Sequence, residues 1–189
     1  MPVKIDLGDI MVRVRRVRAP RVSLIILDAS GSMNFMRRIE AAKGLVRRIA
    51  EESYVKRSYV GLISFRGGRG VDVVIEPTRN YWHVLNTLEE LPSGGATPMP
   101  AALAYAVNLI KRLNLKLKGD YWAYVITDGK ANVPLMDDVR EEVERFMSEL
   151  SKYAKVVIYD TRPQMIYDPS ISHIDILSKY AIEVIRVGD

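Results

Sequence analysis

The sequence predicts an α/β fold, a Rossmann-like three-layer α/β/α arrangement around a central, mostly parallel six-stranded sheet with one antiparallel edge strand. Three observations carry that expectation. The run VSLIIL, Val22 to Leu27, has the length and branching of a strand buried on both faces, and it stops abruptly at Asp28. Apolar residues Ile39, Ala42, Val46 and Ile49 then recur at helical spacing, so a helix over about Met36 to Tyr54 follows that strand. Strand-like and helix-like stretches keep alternating to the end of the chain, the pattern of a parallel sheet covered on both faces.

Residues 1–21 are set apart from the body as a basic arm or edge strand, and residues 22–189 form the domain. Val12, Val14 and Val17 alternate with arginines until Arg15-Arg16 breaks the pattern, which suits an edge strand with a bulge. Tyr59 to Phe65 and Val71 to Glu76 read as a hairpin, because only RGGRG lies between them. Pro77 to Asn80 leads into a short helix near Tyr81 to Leu91. Pro98 suits the first turn of a helix that carries Met99, Leu103, Ala106, Val107, Ile110 and Leu113 on one face. Tyr121 to Thr127 is a buried strand. Asp137 or Asp138 starts a helix with Val139, Val143, Phe146, Met147 and Leu150 inward. Lys155 to Tyr159 and Ile182 to Val187 are the fifth and sixth strands. Thr161 to Ser172, with Pro163, Met165, Ile166, Tyr167 and Pro169, either tucks back onto the body or leaves a sticky surface.

Composition narrows the function. The chain has 189 residues, enough for one domain with a real core, and no cysteine, so disulfides and thiolate metal ligands are excluded. No stretch approaches the ~20 apolar residues that span a bilayer, and the start of the chain lacks a signal-peptide core, so a cytoplasmic protein is expected. The net charge of +5 is local. Arg13, Arg15, Arg16, Arg18 and Arg21 fall within nine residues that hold no acid, and the other 23 basic residues match the 23 acids.

Chemistry concentrates just past the first strand. In DASGS, Asp28, Ser30 and Ser32 place three oxygen side chains at alternate positions, and an extended turn can point all three one way. Magnesium takes about six oxygens, so this is half a site. Thr97, in the loop GGATP, and Asp128, after the strand ending at Thr127, can supply the rest. Each residue alone has an ordinary role, Ser32 and Thr97 as helix caps and Asp128 as a turn residue. In doubly wound sheets ligands bind beyond the carboxyl ends of the strands, where Asp28 and Asp128 are both expected. These five residues resemble the metal-ion-dependent adhesion site (MIDAS) of von Willebrand factor A (VWA) domains, a pattern of Asp-x-Ser-x-Ser, then Thr, then Asp.

Two carboxylates match a divalent charge, and hydroxyls add ligands without adding charge. An ion so held, Mg2+ or Mn2+, keeps room for one more oxygen, expected from an acidic side chain of a partner protein. Further partner contacts are assigned to Asn34, Phe35 and Met36 beside the loop, to Arg66 and Arg69 in the hairpin, and to Met165 and Tyr167.

Longer stretches narrow the resemblance. DASGSM (28–33), AAKG (41–44), VGLISFRG (60–67), PTR (77–79), LPSGGATP (91–98) and TDGKANV (127–133) are similar to the carboxy-terminal VWA domain of the magnesium chelatase D subunit, and also to its cobaltochelatase relatives. The resemblance covers about residues 22–160. It implies a non-catalytic subunit or adaptor working with an AAA+ ATPase of chelatase or MoxR type, its metal site engaging acidic, integrin-like motifs. The chain itself carries neither an ATPase module nor an acidic, proline-rich linker.

Two alternatives stand beside this reading. A nucleic-acid-binding adaptor would act through the arginine arm, and its binding would fall steeply with salt. A phosphoryl-transfer enzyme would use Asp28 as nucleophile, but the second acid of an Asp-x-Asp pair is Ser30 here. A Walker A loop and a Gly-x-Ser-x-Gly elbow are both missing. His83, in a helix, and His173, in a turn, are expected to be structural or exposed.

Overall fold

Strand β1 (Arg21–Asp28) is the centre of the molecule, and every side chain from Val22 to Asp28 is buried. Strands pair with it on both edges, and its β-branched and aliphatic residues are buried on both faces because helices cover the sheet on both sides. β2 (Tyr59–Phe65) and β4 (Asp120–Thr127) flank it, each parallel to it. β3 (Val71–Thr78) pairs antiparallel with β2, while β5 (Lys155–Asp160) and β6 (Glu183–Arg186) continue the parallel side. The strand order is β3-β2-β1-β4-β5-β6. The computed structural model describes residues 19–68, 70–162 and 172–187, without the side chains of 35–37.

Alternation along the strands builds two cores. Leu24, Ile26, Ala123, Val125, Val156 and Ile158 face α3 (Met99–Lys116), α4 (Val139–Ser151) and α5 (Ile174–Lys179). Ile25, Leu27, Tyr124, Ile126 and Val157 face the side of α1 (Arg38–Val55) and α2 (Tyr81–Glu89). The result is the expected three-layer α/β/α architecture, with β3 as the antiparallel edge. Asp138 caps α4 by accepting a hydrogen bond from the Glu141 amide at 2.9 Å.

The structure departs from the sequence reading in detail. The first helix does not begin at Met36, because Gly31–Arg37 forms a tight 3-10 helix first and α1 starts at Arg38. β3 runs on through Pro77, which costs no ladder bond on an edge strand. Leu113 and Phe146 are only partly buried. Helix α5 was not anticipated, and His173, expected in a turn, is buried just before it. The valine-arginine arm through Arg18, Arg69, and most of the Thr161 to Ser172 connector lie outside the described residues. Among the described residues, no helix is long and apolar enough to cross a membrane.

Candidate metal centre

The site is built where β1 and β4 end side by side. Leu27 pairs with Ile126, so Asp28 and Thr127 lie at the same level of the sheet and Asp128 follows at once. Thr127 ties the two ends together, its hydroxyl donating to Asp28 Oδ2 at 2.8 Å and accepting from the Gly129 amide at 3.0 Å. The Ser30 amide donates to Asp28 Oδ1 at 2.9 Å and folds the loop back over the strand end. The Ser30 and Ser32 hydroxyls then lie 3.3 Å apart.

Thr97 arrives on a loop stitched to the first. The Gly31 amide donates to the Gly95 carbonyl at 2.9 Å, and the Gly94 amide to the Ala29 carbonyl at 2.8 Å. Gly95 has φ of +83°, and a side chain there would sit 3.0 Å from the Gly67 backbone of the β2–β3 turn. Asn132 fixes Thr97 itself. The Asn132 side chain accepts from the Thr97 amide at 2.7 Å, while its own amide donates to the Thr97 carbonyl at 3.2 Å. Asp28, Ser30, Thr97 and Asp128 are buried, and Ser32 is partly exposed. Three distant segments therefore meet at one rim of the sheet.

Electrostatics separate the two acids. Asp128 Oδ2 accepts from Arg38 Nη1 at 2.9 Å, and its Oδ1 accepts from the Lys130 amide at 3.1 Å. Asp28 touches hydroxyl and amide donors, with no guanidinium or ammonium among its described partners. Burial pushes its carboxyl up to about 7. The charge of Asp128 adds to that rise, and hydrogen bonds from Ser30 and Thr127 offset only part of it. A third acid at this rim shows the contrast. Asp160, buried at the end of β5, is held by the Arg162 guanidinium at 2.6 Å.

A divalent cation suits this donor set. Among the described residues there is no cluster of three or more His, Cys, Asp or Glu, and the donors gathered here are carboxylate and hydroxyl oxygens. Hard oxygens fit a hard ion. Neighbouring ligands of an octahedral ion with bonds near 2.1 Å lie about 3 Å apart, close to the Ser30–Ser32 spacing. The carboxylate of Asp28, buried with no countercharge among its described partners, is the group such an ion would neutralise.

The residues assigned to partner contact divide. Asn34 is exposed in the 3-10 helix. Arg66 is tied to Asp72 at 2.7 Å across the hairpin. The side chains of Phe35 and Met36, and all of Arg69, Met165 and Tyr167, lie outside the described residues. Sequence reasoning missed Arg38, Thr127, Asn132 and Asp160. Arg38 alone left a signal, because it falls one turn before Ala42 on the otherwise apolar stripe of α1.

Residues 23–130 match the family model of the von Willebrand factor type A domain, and the chain belongs to that family. Within it, the relatives by sequence include magnesium-chelatase subunits. The chain is 32% identical over 155 residues to the magnesium-chelatase 67 kDa subunit of Chlorobaculum parvum, covering 78% of this chain and 25% of that protein. An uncharacterized protein of Methanocaldococcus jannaschii, MJ0910, is 31% identical over 134 residues, with 70% of this chain and 76% of that protein covered. Among solved structures the SpRpn10 VWA domain superposes with a TM-score of 0.67 at 17% identity, over 90% of this chain and 88% of that one, a likeness of fold. The chain spans about a quarter of the chelatase subunits' length.

Proposed function

We propose that this protein is a metal-dependent protein-interaction module. Asp28, Ser30, Ser32, Thr97 and Asp128 would hold one Mg2+ or Mn2+, and the ion would accept a carboxylate from an acidic motif on a partner. The relationship to magnesium-chelatase subunits suggests the setting, a non-catalytic subunit or adaptor of an AAA+ ATPase complex of chelatase or MoxR type. The observation that carries the reading is the buried pair of strand-end carboxylates, one of which has only hydroxyl and amide donors among its described partners, beside hydroxyls that would add ligands but no charge.

This chain's residues would divide the work. Asp28 and Asp128 would supply charge, the three hydroxyls would complete the ligand set, and Thr127 and Asn132 would hold the ligand-bearing backbone in place. The bound ion would contribute Lewis acidity toward the incoming carboxylate. Capture of partners from native extract should require magnesium, vanish in chelator, and fail for a folded Asp28→Ala variant. A loss of roughly ten- to a thousand-fold in affinity corresponds to about 1–4 kcal/mol. Capture that persists unchanged in chelator overturns the reading.

A further inference from the structure

Arg38 is an unusual neighbour for a cation site. Its guanidinium is buried at the start of α1 and bonds Asp128 Oδ2 at 2.9 Å, while Asp128 is itself 1% exposed. A guanidinium does not lose its charge in a protein, and this one sits where the surroundings screen it weakly. With Asp28 ionised, the two acids and Arg38 together carry one net negative charge, half of what a divalent ion requires. A carboxylate offers about four lone-pair positions, so Asp128 can keep Arg38 and still present an oxygen to the rim.

Resting on the metal reading of this site, we infer that Arg38 couples ion binding to partner binding. By neutralising Asp128 it weakens the site's hold on a divalent ion alone. It also leaves the ion-loaded site with one surplus positive charge, which an incoming carboxylate cancels. The ion is thus held weakly until an acid arrives and firmly afterwards, and the acid in turn meets a net cationic target. Without Arg38 the loaded site is already neutral and the acid brings one charge too many. Linkage makes the effect reciprocal, since whatever the acid adds to the ion's affinity the ion adds to the acid's.

Arg38 is in this account a positioning and charge-setting residue, and a purely structural ion pair would behave differently. The test is titration of the full chain with Mn2+ by calorimetry, in chloride and then in acetate at matched ionic strength, acetate serving as the bare carboxylate. Wild type should bind Mn2+ more tightly in acetate. Arg38→Gln should bind Mn2+ in chloride about tenfold more tightly than wild type, the low end of what one opposite charge at close range does to a buried carboxylate, and should lose the acetate gain. Arg38→Lys should retain it. Should Arg38→Gln not fold, the acetate gain in wild type and in Arg38→Lys still decides. Binding that is indifferent to acetate in wild type, or weaker in a folded Arg38→Gln, overturns the coupling and leaves the metal site standing. If wild type takes up no Mn2+ in either salt, the metal reading falls and the coupling with it.

Discussion

Three buried aspartates mark the carboxyl ends of neighbouring strands, and two have guanidinium partners while Asp28 has hydroxyl and amide donors. A buried carboxylate without a countercharge costs stability when it ionises. Asp28→Asn should therefore stabilise the ion-free protein at pH 8 by roughly 1–3 kcal/mol in urea denaturation, and should abolish stabilisation by Mg2+. His173 gives a second test at this scale. Burial holds its pKa below the usual range and nearby Arg140 adds to the effect, despite the hydrogen bond between its Nδ1 and the Gly129 carbonyl at 3.2 Å. A depressed histidine favours folding when neutral, so its contribution is full above about pH 6.5 and is lost as pH falls below that value through the folded pKa. Unfolding followed from pH 7.5 to 5 should show stability declining, and a folded His173→Gln variant should decline less. The ligand candidates themselves were legible, because oxygen side chains at alternate positions after a buried strand have few other uses. Thr127 and Asn132 were not, since each acts through a partner far away in sequence, and Arg38 showed only as a charge on an apolar stripe; Asp160 pairs locally with Arg162, and nothing in that short pairing marks it as part of the rim.

Among the elements, the loops at the rim are held from outside. Glu142, buried in α4, accepts hydrogen bonds from the amides of Leu135, Met136 and Asp137 at 2.6, 2.6 and 3.1 Å. Burial works to raise its pKa, and those amides outweigh it, so the carboxylate stays below the usual range. Glu142→Ala should cost about 2–3 kcal/mol in equilibrium unfolding, because three donors lose a charged acceptor. The loop following the site should also exchange its amide hydrogens faster. Ser64 in β2 is the opposite case, a buried hydroxyl with no described partner. Ser64→Ala should change stability by less than about 1 kcal/mol, in either direction. Strands and long helices could be read because their apolar period runs over many residues, as in β1 and α3. Helix α5 has six residues, too few for a period to emerge from its flanks, and of the 3-10 helix Gly31–Arg37 only Met36 and Arg37 fall within the helix expected from the sequence. The mostly parallel sheet followed from alternation, since consecutive parallel strands need helical crossovers, whereas the strand order came only from the structure.

For the molecule as a whole, the proposed ligands come from three segments, so binding of the proposed ion would make ion uptake and folding one equilibrium. Mg2+ at a hundred times its dissociation constant should stabilise the fold by about 2.7 kcal/mol, seen as a concentration-dependent rise in Tm that chelator reverses. The parallel sheet also fixes which way the molecule faces. The polypeptide enters the sheet at Arg21 and reaches Asp28 seven residues later, a rise of roughly 23 Å at strand geometry, so entry and rim lie at opposite poles. β6 runs parallel to β5 and through it to β1, so the chain leaves it on the rim side. A protein anchored to a sensor surface at the entry to β1 presents the Asp28–Asp128 rim outward, whereas an anchor placed at the exit of β6 turns that rim toward the support.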